Sequence, residues 1–210
     1  DPCNPANWYQ SKKIKRSEET AKILMTEKKY DRLNEINPIC RKESYKQKTH
    51  SKYNRREEIL ARLLYSLEPA GHAVFGEIID YQVPLKNTRY DKGVGKIDLI
   101  SHNKGSKKLY LIEIKSLDSK EPLIRGILEI ATYYKQLKNE KLLSDYGLDK
   151  KTKIAIGILV FGKNKKPEKE LKGINEGESY LKQLIQALEI DIFTIDVNIT
   201  NVNITNVNIG

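Results

Sequence analysis

Histidine and cysteine are scarce in these 210 residues: three histidines (His50, His72 and His102) and two cysteines (Cys3 and Cys40). They are scattered, with no CxxC pair and no ligand spacing for a Cys/His zinc site, and they build no disulfide framework. Long apolar runs are missing as well. None approaches the about 20 residues that a membrane helix needs, and the chain does not begin with an apolar signal segment. The expectation is no membrane partner and a reducing, cytoplasmic setting. The chain opens at Asp1 and not at methionine, as a fragment or processed form would. Apolar residues are only 39% against 31% charged, so a core forms only if part of the chain stays solvated. Acid is short relative to base, with 28 Asp and Glu against 38 Lys and Arg, a net +10. Such an excess suits a polyanion, most simply nucleic acid, and equally a lysine-rich soluble surface.

The chain divides into three stretches. Residues 1–50 are polar and rich in Lys and Glu, and read as a partly helical, solvated extension; Ser17-Glu18-Glu19-Thr20 starts a helix running through Ile23, Leu24 and Leu33 that Pro38 ends. Residues 51–197 carry the periodic patterns of a folded domain. Residues 198–210 belong to a five-residue repeat that begins at Val197-Asn198-Ile199-Thr200-Asn201, a low-complexity tail able to add a strand to a sheet edge.

Within the domain, Ile59, Leu60, Leu63, Leu64 and Leu67 fall on one face of a helix over 55–68, with Glu57 at the edge of that stripe and Glu58 on the solvent side. A strand over 74–83 follows, then a polar loop over 87–95. Two strands come next, at about 96–101 and 108–116. A helix then has Pro122 in its first turn and Asp118 or Ser119 as cap. The run Ile154–Phe161 reads as a strand buried on both faces. Residues 162–177 read as a lysine-rich loop, 179–189 as an amphipathic helix and 190–197 as a last strand. The order implies an α/β sandwich around a mixed sheet.

Three charges sit where a buried strand should carry none. Asp98 lies between Ile97 and Leu99, and Glu113 and Lys115 flank Ile114. A turn at Lys104-Gly105-Ser106-Lys107 would set Asp98 directly opposite Glu113, with Cβ atoms about 4.5–5.5 Å apart, and Lys115 on the same face. A slip of one residue would send Asp98 to the other face. Two carboxylates that close repel unless one is protonated or a divalent cation lies between them, and oxygen donors suit Mg2+ or Mn2+. With a lysine beside it, such a pair makes a phosphodiester-hydrolysing site. The competing reading is a satisfied cross-strand salt bridge on an exposed sheet face.

Asp98, fourteen intervening residues and then Glu113-Ile114-Lys115 resemble the PD-(D/E)xK nuclease superfamily, which includes restriction endonucleases, RecB-type exonuclease domains and archaeal Holliday junction resolvases. The resemblance spans roughly residues 55 to 160, with Ile97 in place of the family's proline. It implies a restriction endonuclease-like αβββαβ core, a central mixed sheet flanked by helices. It implies a Mg2+-dependent deoxyribonuclease, endonuclease before exonuclease, with Mn2+ able to substitute, DNA as partner and a homodimer as one possible state. Asp98, Glu113 and the Ile114 carbonyl would hold the metal, Lys115 would act on the attacking water, and Glu57 from the first helix, or else Glu77, would complete the acidic set. On the helix after the third strand, Arg125, Glu129, Tyr133 and Gln136 form a polar stripe, either a nucleic-acid contact or a solvated face. Glu129-x-x-x-Tyr133 stands where RecB-like members have Gln-x-x-x-Tyr. The alternative to catalysis is a nucleic-acid-binding protein of the same fold.

Overall fold

A computed structural model of the chain describes residues 18, 21, 22, 25, 56–66, 74–85, 95–116, 119, 121–161, 165–175, 179–197 and 202–207. The element order is α1 (Arg56–Ser66), β1 (Glu77–Pro84), β2 (Lys96–Asn103), β3 (Lys108–Lys115), α2 (Leu123–Gln136), α3 (Asn139–Asp145), β4 (Lys153–Phe161), α4 (Lys165–Asn175), α5 (Tyr180–Ala187), β5 (Ile190–Val197) and β6 (Val202–Val207). The six strands form one sheet in sequence order. β1, β2 and β3 are antiparallel neighbours. The crossover through α2 and α3 makes β4 parallel to β3, β5 is parallel to β4, and β6 folds back antiparallel. This is an α/β fold on a mixed sheet flanked by helices.

Apolar side chains fill both sheet faces. On one, Leu109, Leu111, Ile156 and Ile158 pack under α2 and α5 residues such as Ile127, Ile130, Leu184 and Ile185. On the other, Leu99, Ile112, Ile114 and Phe193 pack against Ala61 and Leu64 of α1. β4, buried along nearly its whole length, is the central strand that its unbroken apolar run implies.

Helix α1 is turned relative to its apolar stripe. Ile59 and Leu63 are exposed (41% and 53%) while Glu58, expected at the surface, is buried. The polar contacts decide this: Lys96 Nζ lies 3.0 Å from Glu58 Oε1, and Ser116 Oγ donates to Glu57 Oε1 at 2.8 Å. Both tethers pull the N-terminal turn over the ends of β2 and β3, and small Ala61 lets the helix approach. Leu67 lies outside the described residues.

Other expectations also shift. The lysine-rich stretch holds a helix, α4, because Leu171 and Ile174, one turn apart, are buried and Pro167 falls in the first turn, where a missing N–H costs nothing. The cap expected for α2 is replaced: Pro122 is the N-cap residue, and Glu170 Oε2 of α4 accepts from Leu123 N at 2.6 Å. Ser119 Oγ accepts from Glu121 N instead, and Asp118 is outside the described residues. The extension is not wholly solvated. Glu18, Ala21, Lys22 and Met25 are helical and Ala21 is fully buried. Glu18 takes the N–H groups of Tyr180 and Leu181 at 2.6 and 3.3 Å, capping α5 together with Ser179. The rest of that helix, and most of the 87–95 loop, lie outside the described residues. The repeat supplies β6 on the edge of β5. No helix among the described residues is long and apolar enough to cross a membrane.

Candidate active site

β2 and β3 meet at the turn over residues 104–107, and their ladder runs from Asn103↔Lys108 to Leu99↔Ile112. One step further along that register Asp98 faces Glu113. Here side chain replaces backbone, for Asp98 Oδ2 accepts the Ile114 N–H at 2.9 Å. The other oxygen, Oδ1, accepts from Gln82 Nε2 at 2.7 Å. Gln82 sits at φ 53, in the left-handed region, two residues after Asp80, where a register shift between Ile78 and Asp80 has re-aimed the second half of β1. That strand places a second buried carboxyl, Asp80, whose oxygens accept from Tyr81 N at 2.8 Å and Tyr146 OH at 2.7 Å. Asp80 is thereby a structural acid that ties β1 to the end of α3.

Asp98, Glu113 and Lys115 are 8%, 6% and 5% exposed, so the exposed-sheet-face reading does not hold. They lie between the sheet and α2, which crosses directly over them at Gly126: a Cβ there would come within 2.6 Å of Lys115 Cε and 3.7 Å of Glu113 Cγ. Lys115 Nζ lies 2.9 Å from Glu113 Oε1, 3.5 Å from Glu121 Oε2 and 3.6 Å from Glu129 Oε2. Glu121 also pairs with Arg125 at 2.8 Å. The cluster therefore contains four carboxyl groups, Asp98, Glu113, Glu121 and Glu129, and two cationic groups, Lys115 and Arg125.

Burial drives the titration of these groups. It pushes Asp98 up to about 7, against the opposing pull of the Ile114 N–H, Lys115 and Gln82. Burial, with the neighbouring charges of Asp98 and Glu129, also raises Glu113 well above the usual carboxylate range. Lys115 is desolvated too, but Glu113, Glu129 and Glu121 outweigh that cost and raise its pKa, so it stays an ammonium. Near neutral pH the Asp98–Glu113 pair holds either a proton or a cation.

The remaining sequence candidates divide by position. Glu57, on the opposite sheet face, bonds Ser116 at the end of β3. Glu77 pairs with exposed Lys104 at 3.1 Å beside the turn, at the far end of the hairpin from Asp98. Of the α2 stripe, Arg125 reaches the surface. Glu129 turns inward to Lys115 and takes the Tyr133 hydroxyl at 2.7 Å. Tyr133 and Gln136 are buried, so this face is not solvated, and both Gln136 amide atoms lack a partner among the described residues. Gln82 and Glu121 belong to the site and carried no signal beyond a polar residue beside an apolar run.

Among the described residues no three His, Cys, Asp or Glu side chains are placed to hold a metal ion. The available donors are a hard-oxygen pair, Asp98 and Glu113. That pair fits Mg2+, which is ordinarily held by one or two carboxylates and completes its shell with water and substrate phosphate. No protein-family model matches the chain, and no curated protein and no solved structure matches it either.

Proposed function

We propose that this chain is a Mg2+-dependent nuclease that hydrolyses DNA phosphodiester bonds, as an endonuclease, on a restriction endonuclease-like core of the PD-(D/E)xK kind. The observation that carries the reading is the buried Asp98–Glu113 pair with Lys115 two residues on, set where β2 and β3 part, in an αβββααβ order. Asp98, Glu113 and the Ile114 carbonyl would hold Mg2+, with Mn2+ able to substitute. Bound there, the metal would polarise a phosphoryl oxygen and acidify a water. Gln82 and the Ile114 N–H fix the Asp98 carboxylate in place. Lys115 carries the positive charge that steadies the attacking water or the developing phosphorane charge. Arg125 is the surface cation next to the cluster, suited to a phosphate. The +10 net charge draws the polyanion in. Two copies would present one site to each strand of a duplex.

The test is incubation with plasmid, linear, branched and single-stranded DNA in Mg2+ or Mn2+. Nicking or linearisation of plasmid is expected, lost by at least about 100-fold in Lys115→Ala and Asp98→Ala, with DNA binding retained. Undiminished cleavage by Asp98→Ala would refute the assignment. A second reading, DNA binding without catalysis, draws on the Lys115–Glu113 ion pair at 2.9 Å and the two-carboxylate donor set. It expects steeply salt-dependent binding and no turnover with any divalent metal.

A further inference from the structure

Lys115 has more acidic partners than one ammonium requires. Glu113 holds it at 2.9 Å, while Glu121, itself paired with Arg125 at 2.8 Å, stands at 3.5 Å and Glu129 waits at 3.6 Å on the overlying helix. Glu129 is itself held: its Oε1 accepts from Tyr133 OH at 2.7 Å, leaving Oε2 turned to the lysine. Tyr133 in turn is 2% exposed, and its ring lies so close over Gly95 that a Cβ there would stand 2.2 Å from three of its atoms. Gly95 is the residue that leads into β2, its carbonyl accepting from Leu85 N at 2.9 Å. The Tyr133 hydroxyl is thus clamped between a helix and a strand entrance, and Glu129 has little freedom to leave.

Resting on the nuclease reading above, we propose that Glu129, fixed by Tyr133, is the second seat of the Lys115 ammonium, which it receives when Glu113 turns to a divalent cation. Glu113 cannot serve both partners fully. The ammonium and a cation would compete for the Glu113 oxygens, and the Glu129 carboxylate 3.6 Å from Lys115 Nζ lowers the cost of giving them up. Glu129 and Tyr133 are then positioning residues. They set how readily Glu113 becomes available and where Lys115 stands afterwards, and neither needs to touch nucleic acid.

The experiment reads Mn2+ affinity by titration calorimetry on the full chain without DNA, alongside circular dichroism of each variant. Glu129→Gln is expected to weaken Mn2+ binding about tenfold, and Tyr133→Phe, which changes no charge, to weaken it in the same direction by severalfold. Lys115→Met, which removes the competitor, is expected to tighten it. In the Lys115→Met background Glu129→Gln should have less than about a third of its original effect, a coupling that the double-mutant cycle isolates. An equal effect in both backgrounds would make Glu129 a direct cation partner and overturn the proposal, as would an unchanged affinity in Tyr133→Phe. A folded parent that binds no Mn2+ would defeat the metal-site reading itself, and with it this one. A parent that binds while the variants match it would defeat this one alone.

Discussion

Asp98 is the residue at which folding and chemistry conflict. Its usual value is 3.8, and burial lifts it to about 7 in the fold. The folded protein therefore binds that proton more tightly than the unfolded chain does. The stabilisation this brings is complete below about pH 4 and is lost as the pH rises through 7, a change on the order of 4 kcal/mol. Glu113 shifts in the same direction and adds to the fall. In EDTA, the denaturation midpoint should drop between pH 5 and pH 8, and Asp98→Asn should make the drop visibly shallower. Mn2+ should raise the midpoint more at pH 8 than at pH 5, since only the ionised pair receives it. An unchanged slope in Asp98→Asn would remove Asp98 as the source. The three central charges were legible in the sequence because a tight turn and period-two alternation fix their face. Gln82 and Glu121 were not. One depends on a register shift and a left-handed backbone angle, the other on where a loop delivers its carboxylate, and neither leaves a periodic trace.

At the scale of the element, α2 governs the site by how closely it lies on β3. Gly126 is the point of contact, and it has no side chain where Lys115 Cε and Glu113 Cγ pass. Replacing it with alanine favours the helix by up to about 1 kcal/mol, while the new methyl meets the flexible end of Lys115 and must push it aside. Gly126→Ala should therefore melt within a few degrees of the parent and, on the proposed nuclease function, cleave DNA about 100-fold more slowly, a cost in line with a misplaced catalytic group. A loss of stability with full activity would contradict that view of the crossing. Elements whose burial is uniform, such as β4, were readable as apolar runs. Those that are buried on one side were less so: α4 hides two apolar contacts, Leu171 and Ile174, among lysines, and α1 is rotated by the tethers of Glu57 and Glu58, which hydropathy scores as solvent-facing.

Taken as a whole, the chain is basic, and its buried site is acidic. Net charge is +10, yet four carboxyls surround Lys115 and Arg125. On the proposed function, that arrangement would attract a polyanion and then offer its backbone a place for cations. The repeat stands apart from this division. β6 lies three places from β3 in the sheet order, roughly 14 Å away at about 4.8 Å per strand, so it has no direct part in the site. Its contribution is to the edge. β5 carries fully buried Phe193 between buried Ile192 and half-buried Thr194, and without β6 its backbone donors and acceptors would be open to another chain. A chain ending at Val197 should lose a few degrees in Tm, aggregate at concentrations where the full chain stays dispersed and, on the proposed function, keep the parent's cleavage rate per folded molecule. Scanning calorimetry, light scattering and plasmid cleavage on the two chains check this together. Loss of cleavage by a truncated protein that remains folded and dispersed would instead give the repeat a functional part, one that reaches the site through β5 and β4.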